Sequence, residues 1–500
     1  MLLVALLGCG TAPLQPPGPT VTWDADVTLD TDYTVPERSH LVIEPGVTVT
    51  LGPGVALLID GFLEAQGTTD EPIVFTGSAS EPWRSIVFSA SSVHAEYTNV
   101  DDYAGGSVVR GVVVENATRG LELAGGSPYV ADSIFRRNTI PAGVDTIGGA
   151  AILVSSDATP RIRGCSFEGN VANTFAFGGA IYVNGANPIL QGNTFAGNMA
   201  SYGGAISTDN MASPFAGNTF MANESASDGG AVSLVSSVSA LLNNRFTANH
   251  SKADGGGIHV CLTCDPHAAP TLVDNVIVDN LSDNADPADG SAGIGASFLG
   301  GMTTNDIHGN LRDGEPSDFS WYNLVEEAWP TWAASPDVGD NYWGTTDAEA
   351  IAASIFDGAD DPTYTEVDAS SVRDAPIGAA IPRVVIATRR MHYQDAGDAM
   401  EVYLTLYNPG LATSVTLDLR ERGRAWSGSV EYSGATASGG IWTLDMPEDS
   451  VWFATIEAST YDGVTTDDIE WTASLSDAAS GARIGRTSVA RYLLAPADGT

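Results

Sequence analysis

Apolar and polar positions alternate over very short runs throughout the first three quarters of the chain. Examples are Ala180-Ile181-Tyr182-Val183 and Pro188-Ile189-Leu190, separated by Gly, Asn, Asp and Ser. Period-two alternation bounded by turn residues predicts strands of three to five residues, and no stretch has the 3.6-residue period of an amphipathic helix. The runs also repeat. CSFEGN, NTFAGN, NTFMAN and NRFTAN end at Asn170, Asn198, Asn223 and Asn249, with weaker copies ending at Asn138, Asn280 and Asn310. From Asn138 onward the steps are 32, 28, 25, 26, 31 and 30 residues. A second phrase advances with the first: Gly148-Gly149-Ala150, Gly178-Gly179-Ala180, Gly203-Gly204-Ala205, Gly229-Gly230-Ala231 and Gly255-Gly256-Gly257.

A unit of this size, with three short strands and three turns, cannot bury its apolar side alone and must stack on its neighbours. The expectation is an all-β chain built as a right-handed parallel β-helix of about eleven or twelve coils over residues 23–370, on the order of 55 Å long between Val47 and Trp343. Stacking predicts columns of like residues. Phe135, Phe167, Phe195, Phe220, Phe246, Ile277 and Ile307 should form an internal stack. Asn138, Asn170, Asn198, Asn223, Asn249, Asn280 and Asn310 should form a structural ladder of amides at one turn. Ser133, Cys165, Asn193, Asn218, Asn244, Asn275 and Asn305 form a second polar column. The glycine pairs are assigned to corners that need positive φ and leave no room for a Cβ.

The strings from Ile43 to Val49, Leu57 to Thr68 and Trp83 to Phe88 resemble the opening coils of bacterial right-handed β-helix proteins. Asn341-Tyr342-Trp343-Gly344 with the helical turn at 348–356 resembles their closing cap. The FxxN and GGA[ILV] pair, over about residues 133–260, resembles the polymorphic outer-membrane protein repeats of chlamydiae, which implies surface adhesion. From about Pro382 the alternation lengthens into seven or eight strands, which predicts an immunoglobulin-like β-sandwich over 382–500, with a carbohydrate-binding jelly roll as the second choice.

Composition sharpens the partner classes. The chain has 21 Lys+Arg against 62 Asp+Glu, a formal charge of -41, which excludes nucleic acid as a natural partner. Residues before Arg383 hold 12 basic and 46 acidic groups, so the acidity lies on the repeat region. The start, MLLVALLGCG, resembles a lipoprotein lipobox. That resemblance implies a signal peptide over residues 1–8, acylation of Cys9, a Pro-rich tether over 9–22, outer-membrane lipid as partner, and a surface location; without an anchor the chain is expected to be secreted.

Candidate chemistry is sparse. No catalytic residue and no metal site is assigned, and no cofactor is expected, although Asp283, Asp286 and Asp289 could hold Ca²⁺. Lys252 reads as a solvated turn with no acidic cluster at matching repeat offsets. His259, Cys261, Cys264 and His267 have the look of a Cys₂His₂ zinc set. A disulfide between Cys261 and Cys264, pinning a five-residue insertion, is preferred. The expected function is a non-enzymatic cell-surface rod in adhesion or surface architecture, in contact with a surface polysaccharide or a host or neighbour-cell protein. A polysaccharide lyase or glycoside hydrolase of the same fold is the rival. A lateral face with clustered carboxylates and an arginine would favour the enzyme, and one of Ser, Thr, Asn and Val the rod.

Overall fold

The computed structural model describes residues 18–376 apart from 98–102, 142–146, 174, 262–269, 287–289, 298 and 323–337, and, beyond them, the backbone of strands between 383 and 492. Residues 20–356 wind into a parallel β-helix. Among the described residues its strands fall into three long sheets of eleven, eleven and twelve strands and a narrower fourth of eight, in which strands pair in parallel with their counterparts one coil away apart from the antiparallel end pair Leu311–Arg312 and Glu315–Pro316. One coil shows the logic: Ile181–Asn184 in the third sheet, Ile189–Gln191 in the first, Thr194–Ala196 in the second and Met199–Ala200 in the fourth. The first strand, Thr20–Trp23, pairs in parallel with His40–Ile43, so the solenoid starts inside the segment read as tether. Cys9 and the segment 1–8 lie outside the described residues.

Period-two alternation places one apolar column inside each sheet. Ile181, Leu190 and Phe195 are fully buried, as are their equivalents in adjacent coils, and together they make one continuous core along the solenoid. The phenylalanine column stacks with centroid spacings of 5.2, 4.6, 4.8 and 4.7 Å from Phe135 to Phe246, close to the strand spacing, because a ring per coil can only lie flat on the next.

The amides also form columns. Asn138, Asn170, Asn198, Asn223, Asn249 and Asn280 each donate Nδ2–H to the Oδ1 of the next, at 2.9 Å throughout, and the row ends at Asn310. The second column runs from Asn193 through Asn218, Asn244, Asn275 and Asn305 to Asn341 with the same bonding. Cys165 stands between Ser133 and Asn193 in this column as a buried free thiol, its backbone N–H donating to Asn193 Oδ1, and burial pushes the thiol up to about 12.

The positive-φ requirement is wider than the glycine pairs suggested. The residue before each ladder asparagine turns left-handed: Arg137, Gly169, Gly197, Ala222, Ala248, Asp279 and Gly309 have φ between 51° and 71°. A single left-handed residue folds the chain from one sheet into the next, and the following asparagine then points inward. The first glycine of each pair is left-handed too, and there the space is closed: a Cβ on Gly178 would overlap the Ile181 carbonyl oxygen.

At the far end a five-residue helix, Ala348–Ala352, is N-capped by Asp347, and Ile355–Phe356 pairs with Phe319–Trp321 to close the third sheet. The C-terminal strands are mainly antiparallel. Arg383–Thr388, Met400–Tyr407 and Val451–Ile456 form one group, and Ala412–Glu421, Ile441–Leu444, Ile469–Asp477 and Arg483–Tyr492 another, joined by a parallel bridge at Arg383 and Arg486.

Candidate functional site

The outward positions of the third sheet form one column in register: Tyr182, Ser207, Ser233, His259, Gly295 and Ser320. Ser207, Ser233, His259 and Ser320 are buried even though they point away from the core. The corner before the glycine pair lies over them. Asp254 reaches across Gly295, where a Cβ would overlap both carboxylate oxygens, and its Oδ1 accepts from the Gly255 and Ser291 N–H groups at 2.8 Å each. Its own backbone N–H donates to Asp228 Oδ1 at 3.2 Å. Asp228 and Asp254 hold the same repeat offset, directly before their glycines. Lys252 itself lies 3.8 Å from Glu224 on the solvent side.

His259 therefore has different neighbours from those its spacing suggested. Its Nδ1 lies 3.3 Å from Ser233 Oγ, and its Nε2 lies 3.9 Å from Asp254 Oδ2. Burial, reinforced by the Asp228 charge, pushes the Asp254 carboxyl up to about 8, and burial pulls the His259 imidazole down. Both directions favour a protonated Asp254 facing a neutral imidazole, so the pair is not an ion pair at neutral pH. Tyr322, after the last full coil, packs over this carboxylate, and burial raises its hydroxyl as well. Ser233, His259 and Asp254 have the composition of a nucleophilic triad, but Ser233 is 1% exposed and Asp254 1%, which closes the set to any polymer.

Toward the middle of the rod the same face opens. Phe177 stacks on Tyr182 and on Tyr202, with centroids 5.3 Å apart in each case, and both Phe177 and Tyr202 are half-buried. Asp209 sits one coil beyond Asn184 on this face; burial lifts its carboxyl and its charge helps hold the Tyr182 hydroxyl at about 12. An aromatic wall with a carboxylate beside it can stack on a sugar ring and accept from its hydroxyls. The sequence signal was present in the outward alternation of Tyr182 and the Gly-Gly phrase that precedes it.

The second sheet faces outward with Thr48, Thr50, Thr76, Ser166, Thr194, Thr219 and Thr247, and between them with Glu115, Arg136, Glu168, Met221 and Arg245; Glu115 Oε2 accepts from Arg136 at 2.8 Å and Arg137 at 2.7 Å. Burial would raise Glu115, but Arg137, Arg136 and Thr76 outweigh it and lower the carboxyl. Arg161 lies over Tyr97, its guanidinium carbon 3.7 Å from the ring centre, an outward arginine in a strand.

Cys261 is disulfide-bonded, which removes it from the zinc set. Cys264 and His267 lie outside the described residues, as does Asp289. Asp283 accepts from His250 Nε2 at 2.8 Å. Among the described residues no group of three or more His, Cys, Asp or Glu could hold a metal ion, and no helix is long and apolar enough to cross a membrane.

Residues 98–310 match the family model described as right handed beta helix region, which makes the coil a right-handed parallel β-helix. No curated protein matches the chain. Among solved structures, a variant of the tailspike protein of E. coli bacteriophage HK620 in complex with pentasaccharide is 12% identical, with 88% of this chain and 86% of that chain covered at a TM-score of 0.29. The Dettilon tailspike protein is 10% identical, with 88% and 87% covered at a TM-score of 0.24. Likenesses this distant carry no argument about site or activity.

Proposed function

We propose that the protein is a non-enzymatic surface rod that contacts polysaccharide through the open part of its third sheet, around Phe177, Tyr182, Tyr202 and Asp209. The observation that carries this reading is the division of that face. Its most strongly perturbed carboxylate and its histidine are sealed beneath Tyr322 and the glycine corner, while Phe177 and Tyr202, half-buried and stacked with the buried Tyr182, leave an accessible aromatic edge. The threonines outward on the second sheet support a rod as well, since they set short hydroxyl side chains between the charged ones of that face. The FxxN and GGA[ILV] phrases of chlamydial outer-membrane repeats support a role in adhesion or surface architecture, and the lipobox-like LLGC ending at Cys9 supports a lipid anchor in the outer membrane. The C-terminal strands fit a β-sandwich of immunoglobulin type.

The rival reading, a polysaccharide lyase or hydrolase, draws on Asp209, whose raised carboxyl suits a general acid. The deciding experiment is a panel of polyuronides and neutral glycans incubated with the purified chain, with and without Ca²⁺, following both binding and product. Binding that is lost in Tyr202→Ala, without turnover, supports the rod; turnover lost in Asp209→Asn overturns it. Mass spectrometry of the mature N-terminus from globomycin-treated and untreated cells tests acylation of Cys9 separately.

A further inference from the structure

A sheet face turned to water carries polar positions, and the first sheet obeys this where Arg161 and Arg163 point outward. From the next coil the outward positions change character. Ile189, Ala216, Ala240 and Leu242 pack with Ala212, and Val238 and Val273 join them, giving an apolar cluster outside the core. Apolar patches of this kind on the outside of a solenoid mark contact with another body. Leu242 is only 2% exposed. Its in-sheet neighbours are Ala216 and Val273. The strand Arg383–Thr388 runs beside Ala240–Leu242, with Cα atoms within 8 Å.

We propose that this face is the seat of the C-terminal strands, which dock on the first sheet through Arg383–Thr388 and make the tail a fixed part of the rod. Docking there covers the first sheet and leaves the third-sheet face open, so the seat does not depend on what that face binds.

Small-angle scattering of the full chain tests the seat. The wild type should scatter as one rigid body. Leu242→Asp should enlarge the radius of gyration and speed tryptic cleavage after Arg373 and Arg383, while Thr303→Asp, also outward on this sheet, should change neither. Should Leu242→Asp fail to fold, a cysteine at 242 paired with cysteines walked through 383 to 388 gives the second readout: cross-linking confined to one register supports docking. Wild-type scattering of two independently moving bodies overturns the proposal. So does a folded Leu242→Asp that behaves as wild type, a cross-link at every position or none, or a concentration-dependent dimer that Leu242→Asp dissolves, which would give the face to a second copy.

Discussion

Asn310 Nδ2 donates to Asp318 Oδ1 at 2.8 Å, so a row of seven side-chain amides ends on a carboxylate. Each amide in the row points its N–H at the next oxygen, and the small dipoles therefore align with their positive ends toward Asp318. An acceptor-only group is the natural terminus, since it takes the last N–H and needs no further partner along the row.

That terminus has a pH signature. Burial lifts the Asp318 carboxyl to about 6 against the bonds from Asn310 and Ser354 that lower it. Because the folded value is raised, the associated stability is fully present below the ordinary value of 3.8 and is lost as pH rises through about 6. The far end of the rod should lose on the order of 3 kcal/mol between about pH 4 and about pH 8 from this group alone. Asp318→Asn keeps the acceptor and removes the charge. Its melting temperature should vary less over that range than the wild type's, and an unchanged pH profile would contradict the assignment.

Left-handed corners give a second prediction with opposite signs at equivalent positions. Ala248 has φ 54°, a conformation that costs an L-residue about 1 kcal/mol or more. Ala248→Gly should therefore raise the denaturation midpoint. At Gly197, φ 62°, an added Cβ meets nothing within 4 Å, so Gly197→Ala should cost only the backbone penalty, about 1 kcal/mol. Gly178→Ala adds a collision with the Ile181 carbonyl and should cost several kcal/mol more than Gly197→Ala. Equal losses at Gly178 and Gly197 in chemical denaturation would refute the distinction.

Much of this fold was legible because its information is periodic. The step from Asn198 to Asn223 fixes a coil, and once the coil is fixed Phe195 must lie on Phe220. The left-handed residue before each asparagine escaped notice because Gly, Ala, Asp and Arg all occupy it, so composition hides a conformation that is constant. The cluster over the third sheet escaped for another reason. His259 reads locally with Cys261, whereas its neighbours Ser233 and Asp254 are set by register across coils, and only the shared Asp-Gly-Gly of Asp228 and Asp254 signals the corner that brings a carboxylate over it.

Asp254 and His259 should give the later coils of the rod an alkaline limit. The raised Asp254 contributes stability that is present below 3.8 and lost as pH rises through about 8; the lowered His259 makes stability fall as pH drops below its ordinary 6.5. Between 3.8 and 6.5 the two slopes oppose each other, and above 6.5 only the Asp254 loss remains. Asp254→Asn preserves the acceptor for the Gly255 and Ser291 N–H groups and should abolish the decline between about pH 6.5 and about pH 8 while leaving the acid-side loss. Melting curves across that window, compared with the wild type, decide it.

Breaking the amide row at its centre should be felt in both directions. Asn223 Oδ1 accepts from the backbone N–H and from Nδ2 of Asn198 at 3.0 and 2.9 Å, while its own Nδ2 donates to Phe195 O and Asn249 Oδ1 at 3.0 and 2.9 Å. Asn223→Ala removes four buried hydrogen bonds and leaves the Asn198 backbone N–H and one Asn198 Nδ2–H without acceptors, while Asn249 Oδ1 keeps the backbone N–H of residue 223, for a cost on the order of 4 kcal/mol, well above that of an ordinary surface substitution. Since each coil is held mainly by its neighbours, the loss should be local: hydrogen exchange should accelerate over about residues 195–250 and remain near wild type around Leu41 and Leu63. Asn223→Asp keeps the acceptors and loses one donor set, so it should fall between wild type and alanine at low pH, where its carboxyl is protonated, and approach alanine as pH rises and a buried charge forms. Uniform acceleration along the whole rod would show instead that it opens as a single cooperative unit.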